Sequence, residues 1–218
     1  MTITVTDAFD ATVDQTFAVA VGSLRDIDPS ARNGIYPAAP GNSIDTTSTF
    51  DAVLDTDVGE ITIRLLDDES PAFVNNFVSL ARDGFYDGLV FHRVIDGFVA
   101  QSGDPLGTGG GGPGFQIPDE VGNTIPFDSR GQLSFANSGN DTTGSQFFIT
   151  FGSTGLSTNQ FSVFGNVTAG DDVLDQIVRM FTINPIPRSP DIPIGGATPT
   201  VVNSITIVET QGESDPIA

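Results

Sequence analysis

Between Phe50 and Val208 the chain is cut repeatedly into short apolar runs separated by glycine, asparagine and aspartate. Runs at 90–95, 97–101, 132–136, 146–151, 161–167 and 201–208 have the length and bounding residues of β-strands. FDAVLDTDVGEITIRL, residues 51–66, reads as two more strands around a tight turn, with Ile61, Ile63 and Leu65 alternating against Thr62 and Arg64. Helical periodicity occurs in two places. In SPAFVNNFVSLARDG, Ser70 is placed as N-cap, Pro71 suits the first helical position, Phe73, Phe77 and Leu80 share a face, and Gly84 ends the run. A second helix is predicted over 171–181, with Asp171 as cap and Val173, Leu174, Ile177 and Val178 as the apolar stripe. Many short strands with two helices predict a mainly β closed barrel or sandwich capped by helices, and exclude an alternating βαβ sheet.

The chain divides into an N-terminal extension (1–50), a main domain (51–210) and a tail (211–218). The extension carries two candidate strands, ITVT and FAVAV, followed by a polar stretch with proline and glycine. It is too short to promise a domain of its own; it either wraps the main domain or ends an upstream module. Residues 182–200, rich in proline, are expected to form a long surface loop. The start, MTITVTDAFDATVDQ, lacks the basic region and apolar stretch of a signal peptide. No run approaches the ~18 apolar residues of a membrane span, so no membrane insertion is expected.

Charge narrows the partners. Against 28 acidic residues stand 8 basic ones, all arginine, for a net charge of −20. Nucleic acid and anionic membrane both need a basic footprint, so neither is expected as a partner. Such acidity without lysine suits salty or extracellular surroundings, where screening relieves self-repulsion, and equally suits simple lineage composition. With the Thr/Asp-rich start, it favours an extracytoplasmic location over a cytoplasmic one. The absence of cysteine excludes disulfides and thiolate chemistry.

Motif by motif, the familiar chemistries fall away. GTGGGG at 107–112 matches G-x-G-x-x-G formally, but Pro113 and Gly114 follow where a dinucleotide loop opens a helix. The single histidine, His92, has no nucleophile elbow to serve and an arginine beside it that opposes protonation. A structural role is expected for it. One histidine, no cysteine and scattered acids give no metal site, and no cofactor is expected.

Arg93 is the exception. Its bland reading is an arginine packed on aromatics and paired with a carboxylate. In a strand over 91–95, Phe91, Arg93 and Ile95 would share one face and His92 and Val94 the other. Phe98 and Gln101 follow downstream, then ANSG at 136–139 and GSQFFI at 144–149, where Gln146 and Phe148 alternate onto one face. An arginine, two glutamines, an asparagine and several phenylalanines supply hydrogen-bond donors and an apolar slot, but no nucleophile and no general base.

FHRVIDGFVAQSGDP, GTGGGGPGF, LSFANSGNDTTGSQFFI and FSVFGNV, in this order and spacing, resemble the cyclophilin family of peptidyl-prolyl cis-trans isomerases, from about Phe50 to Val208. The resemblance implies a closed eight-stranded antiparallel β-barrel capped by two α-helices, with the site in a groove on its outer wall. It implies that Arg93 is the catalytic residue and that Phe98, Phe148 and Leu156 wall a proline pocket. Gln101, Gln146 and the Asn137 backbone would hold the substrate, and Gly107, Ala136 and Ser138 would line the adjoining groove.

The implied reaction needs no acid, base or nucleophile. The X-Pro bond rotates over a barrier of ~18–20 kcal/mol because resonance makes the C–N bond partly double. In the twisted state the imide nitrogen regains a lone pair, to which a guanidinium donates a hydrogen bond unavailable in the planar ground state. The resemblance also has departures. Val99 stands where many members have methionine, Gly155 where many have tryptophan before Leu156, and Phe161 where a pocket histidine often sits. These changes predict weak cyclosporin binding with isomerase activity retained. The expected partners are proline-containing peptides and unfolded or partly folded proteins. A second reading is a proline-peptide binding module with little turnover, part of a larger extracellular protein.

Overall fold

The computed structural model describes residues 2–6, 12–16, 24–45, 47–120, 122–182 and 199–211. Its strands are β1 (Thr2–Thr6), β2 (Thr12–Thr16), β3 (Ser48–Thr56), β4 (Gly59–Leu65), β5 (Leu89–Val90), β6 (Arg93–Ile95), β7 (Val99–Ser102), β8 (Gln132–Phe135), β9 (Phe147–Thr150), β10 (Val163–Ala169) and β11 (Val201–Gln211). The helices are α1 (Pro71–Arg82) and α2 (Asp171–Thr182). β1 and β2 form a two-stranded antiparallel pair. The FAVAV run and most of the proline-rich 182–200 segment lie outside the described residues.

Nine strands make one curled antiparallel sheet in the order β5-β11-β3-β4-β10-β8-β9-β7-β6. Its two end strands are not ladder partners, yet only Phe91 and His92 separate them along the chain. The three Cα steps from Val90 to Arg93 span at most about 11 Å, so the end strands lie near one another and the sheet is curled. The register β3–β4, with Thr56 opposite Gly59, leaves the tight turn read from the sequence.

Alternation along these strands sends Phe50, Ala52 and Leu54, then Ile61 and Ile63, into the core at full burial. α1 lays Phe73, Val74, Phe77 and Val78 over this interior. Phe77 meets Phe147 edge-on at 5.5 Å between centroids, and Phe135 stacks on Phe164 at 4.6 Å. Pairs of this kind contribute ~0.5–1.5 kcal/mol beyond their buried area, so the aromatic core fixes how α1 sits.

The start of α1 is satisfied differently from expectation. Ser70 occupies the N-cap position but makes no side-chain cap bond, and its Oγ reaches Val163 O instead. The carboxylate of Glu120, 47 and 48 residues away in sequence, accepts from Ala72 N at 3.0 Å and Phe73 N at 2.9 Å. A charged acceptor also complements the helix dipole, which a serine hydroxyl cannot do as well. Asp171 likewise begins α2 as a helical residue, with its side chain held by Arg130 at 2.7 Å.

The stretch from Leu24 to Asp45 packs on the sheet body. Leu24 and Ile44 join the main core cluster. Arg32 is 2% exposed, and its Nη1 donates to Gly84 O, Phe85 O and Asp87 O while Nε and Nη2 donate to Ile27 O. Residues 24–45 of the extension thus pack against the main domain.

Candidate active site

Strand register assembles the site. Arg93 on β6 lies opposite Gln101 on β7, and Gln101 lies opposite Phe148 on β9. Directly paired residues share a sheet face, so the guanidinium, the amide and the phenyl ring form one row across three adjacent strands. The intervening residues Val94, Ala100, Phe147 and Ile149 point inward to the main core. Phe91 is the exception to the sequence-based faces: it precedes β6, and alternation does not reach back through it. It is fully buried inside, against Phe147, rather than beside Arg93.

Outside the sheet, a second apolar cluster gathers Val99, Phe148, Phe127 and Val163, with Phe98, Ala136, Leu156 and Phe161 packed against it. Phe148 stands between Phe127 at 6.0 Å and Phe161 at 5.9 Å. Phe127 comes from the irregular 122–131 segment, where no periodicity marks an aromatic as part of a site. Arg93 bounds this cluster, its Cζ 6.0 Å from the Phe98 ring centroid, while Nη1 donates to Gln101 Oε1 at 3.4 Å.

A polar groove of about 520 Å³ adjoins it, lined by Gln101, Ala136, Asn137, Ser138 and Gln146 among others. Ala136 belongs to both halves. Gln101 Nε2 donates to Gln146 Oε1 at 2.8 Å, and Gln146 Nε2 donates to Gly109 O at 3.0 Å and Gly111 O at 2.9 Å. The glycine-rich loop thus holds Gln146, Gln146 orients Gln101, and Gln101 meets Arg93. Gly107 sits lower, its N–H on Asp104 O and its α-carbon facing Val90; the loop residues on the groove wall are Gly109–Gly112.

Asp104 organises that loop, a role the sequence did not reveal. It is 1% exposed, and its carboxylate accepts from Leu106 N, Thr108 N and Gly109 N. Burial would raise its pKa, but the surrounding backbone N–H groups outweigh burial and hold it below the usual value. His92, 4% exposed, is pushed the other way. Burial lowers its pKa more than the Asp104 carboxylate and the Val90 backbone raise it, and Arg93 adds to the lowering.

Comparison with known proteins agrees with this geometry. The family model for cyclophilin type peptidyl-prolyl cis-trans isomerase/CLD matches residues 52–198. The chain belongs to the cyclophilin family. A peptidyl-prolyl cis-trans isomerase of Helicobacter pylori strain J99 is 44% identical over 143 residues, covering 65% of this chain and 88% of the relative. Peptidyl-prolyl cis-trans isomerase CYP18-1 of Arabidopsis thaliana is 44% identical over 125 residues, 56% of this chain and 78% of the relative. The crystal structure of a Cryptosporidium parvum cyclophilin type isomerase superposes with a TM-score of 0.65 at 29% identity, covering 73% of this chain and 98% of the other. The enzyme class that follows is isomerase.

The Gly155 position carries a backbone constraint. Gly155 has φ +65°, in the left-handed region where a side chain is strained. A bulky residue is therefore disfavoured there, although space around the position is open.

Proposed function

We propose that this cyclophilin accelerates rotation about X-Pro bonds through Arg93, without a covalent intermediate. The proline ring enters the apolar slot between Phe148, Phe98 and Leu156, with Val99 and Phe161 completing it. The backbone beside the scissile-free imide is held in the polar groove by Gln101, Gln146 and the Asn137 main chain, with Ala136 and Ser138 alongside. As the bond twists, Arg93 donates to the imide nitrogen. Such a charge-assisted hydrogen bond is worth ~1.5–3 kcal/mol, or roughly ten- to a hundredfold in rate.

The observation that carries this reading is the cross-strand row Arg93–Gln101–Phe148, which sets a guanidinium at the rim of an apolar slot. A Cryptosporidium parvum cyclophilin type isomerase, 30% identical, was crystallised in the presence of the dipeptide Ala-Pro, which supports proline peptides as ligands. We also read residues 89–95 as one bent strand; counted so, the curled sheet is an eight-stranded closed barrel. Cyclosporin binding is expected to be weak, since the rim has Gly155 and Phe161. NMR exchange spectroscopy on an Ala-Pro peptide tests the reading: faster cis-trans exchange on adding protein supports it. Peptide binding with no change in exchange favours the binding-module alternative.

A further inference from the structure

The polar groove has a wall that the family match does not include. Residues 33 and 34 line it together with Gly109–Gly112, yet they precede the matched span of 52–198. Asn33, Gly34 and Tyr36 are fastened to the glycine-rich loop. Gly112 N donates to Asn33 Oδ1 at 3.0 Å, Gly34 N donates to Gly112 O at 2.9 Å, and Tyr36 N donates to Pro113 O at 2.8 Å. Gly114 allows this approach: a Cβ there would lie 2.5 Å from Tyr36 O and 2.9 Å from the Gly34 carbonyl carbon.

The fastening is anchored at both sides. Arg32, next in the chain, is buried on three carbonyls of residues 84–87. Tyr36 packs its ring on Phe85 and Phe115 at 5.9 and 6.0 Å and donates its hydroxyl to Asp83 at 3.0 Å. Two residues of the extension are thus held rigidly beside the groove, and the loop they grip is the one that holds Gln146.

We infer that the extension completes a substrate subsite, with Asn33 as a specificity-determining residue for a side chain of the proline peptide near the X-Pro bond. The subsite rests on the proline-peptide reading of the groove. Its chemistry is polar and uncharged: no Asp, Glu, Arg or Lys is among the lining residues. In a chain of net charge −20, it favours amide or basic side chains over acidic ones.

Asn33→Asp isolates the effect. The substitution keeps an oxygen at the position that accepts from Gly112 N, so the wall keeps its fastening, and it places a charge on the groove. One more charge on a chain at −20 barely alters the overall field, so a change in preference reports on the groove itself. The probes are Ac-Xaa-Xaa-Ala-Pro-Xaa-Xaa-NH2 peptides with Xaa as Arg, Gln or Glu, and the readout is Kd by NMR titration at low salt. Exchange on the same peptides is recorded separately, so loss of the isomerase reading is distinguishable from loss of the subsite.

The expected result is wild-type affinity in the order Arg or Gln above Glu. In Asn33→Asp the Arg-to-Glu affinity ratio rises by about threefold or more, an effect that shrinks in high salt. An unchanged ratio overturns the inference, as does a failure of every peptide to bind.

Discussion

The amide nitrogen of Gln101 lies 2.8 Å from the amide oxygen of Gln146, which links the arginine row of the sheet to the glycine-rich loop. With one hydrogen of its amide given away and its oxygen facing Arg93, Gln101 has its orientation fixed by neighbours rather than by its own rotamer. Gln146→Ala removes that orientation and the amide tether to the carbonyls of Gly109 and Gly111. A lost hydrogen bond of ~1–1.5 kcal/mol predicts roughly a tenfold fall in kcat/KM for an Ala-Pro peptide. Tm is expected to stay within a few degrees of wild type, since the Gln146 amide is not in the core. Full activity in the variant counts against the relay.

Asp104 acts one step further back. Asp104→Asn removes the buried charge that gathers the loop N–H groups, and the asparagine oxygen replaces only part of it. The loop is expected to loosen, with hydrogen exchange rising at Leu106, Thr108 and Gly109, and KM for peptides increasing severalfold more than kcat falls. Its folded pKa is depressed, so its stabilisation is present above the unfolded pKa of about 3.9 and is lost as pH falls below it. Unchanged exchange at those three amides would contradict this role.

The sole histidine gives a clean probe of the same region. Burial lowers the His92 pKa against the pull of Asp104, with Arg93 adding to the lowering. The folded state therefore prefers neutral imidazole: its contribution to stability is complete above about pH 6.5 and is lost as pH falls through that value. Its NMR titration is predicted to fall below the free-histidine midpoint, and His92→Gln to flatten the acid side of the stability profile. A titration at or above 6.5 would falsify the account of His92 as a buried scaffold residue.

The extension makes a stability prediction independent of catalysis. Arg32→Met leaves the carbonyls of Ile27, Gly84, Phe85 and Asp87 without their shared donor. At ~1–3 kcal/mol for an unsatisfied buried group, a total near 3 kcal/mol is expected, lowering Tm by roughly 6–12 °C. Urea denaturation checks it, and an unchanged midpoint would mean that residues 24–45 do not hold the domain.

What the sequence disclosed followed from local rules. The β4 alternation and the α1 stripe of Phe73 and Phe77 are periodic and the structure has both, while Gln146, just before β9, meets Gln101, the residue opposite Phe148. The residues it hid act at long range, from irregular backbone, or on main-chain groups that leave no pattern. Glu120 caps a helix 47 residues before it, Phe127 enters the slot from an irregular segment, and Asp104 serves a loop through its backbone. Periodicity carried past the start of a three-residue strand puts Phe91 on Arg93's face, whereas the ring is buried in the core. The Arg32 clamp was equally out of reach, since its acceptors are carbonyls, which every residue possesses.

The central claim is that a single guanidinium lowers the barrier to X-Pro rotation. Exchange spectroscopy on one Ala-Pro peptide, with wild type and Arg93→Ala at equal concentration, measures it most directly. The account predicts clear acceleration by wild type, a loss of about ten- to a hundredfold in kcat/KM for the variant, and peptide affinity within a few-fold of wild type. Equal acceleration by both proteins would contradict it, as would the absence of acceleration by wild type.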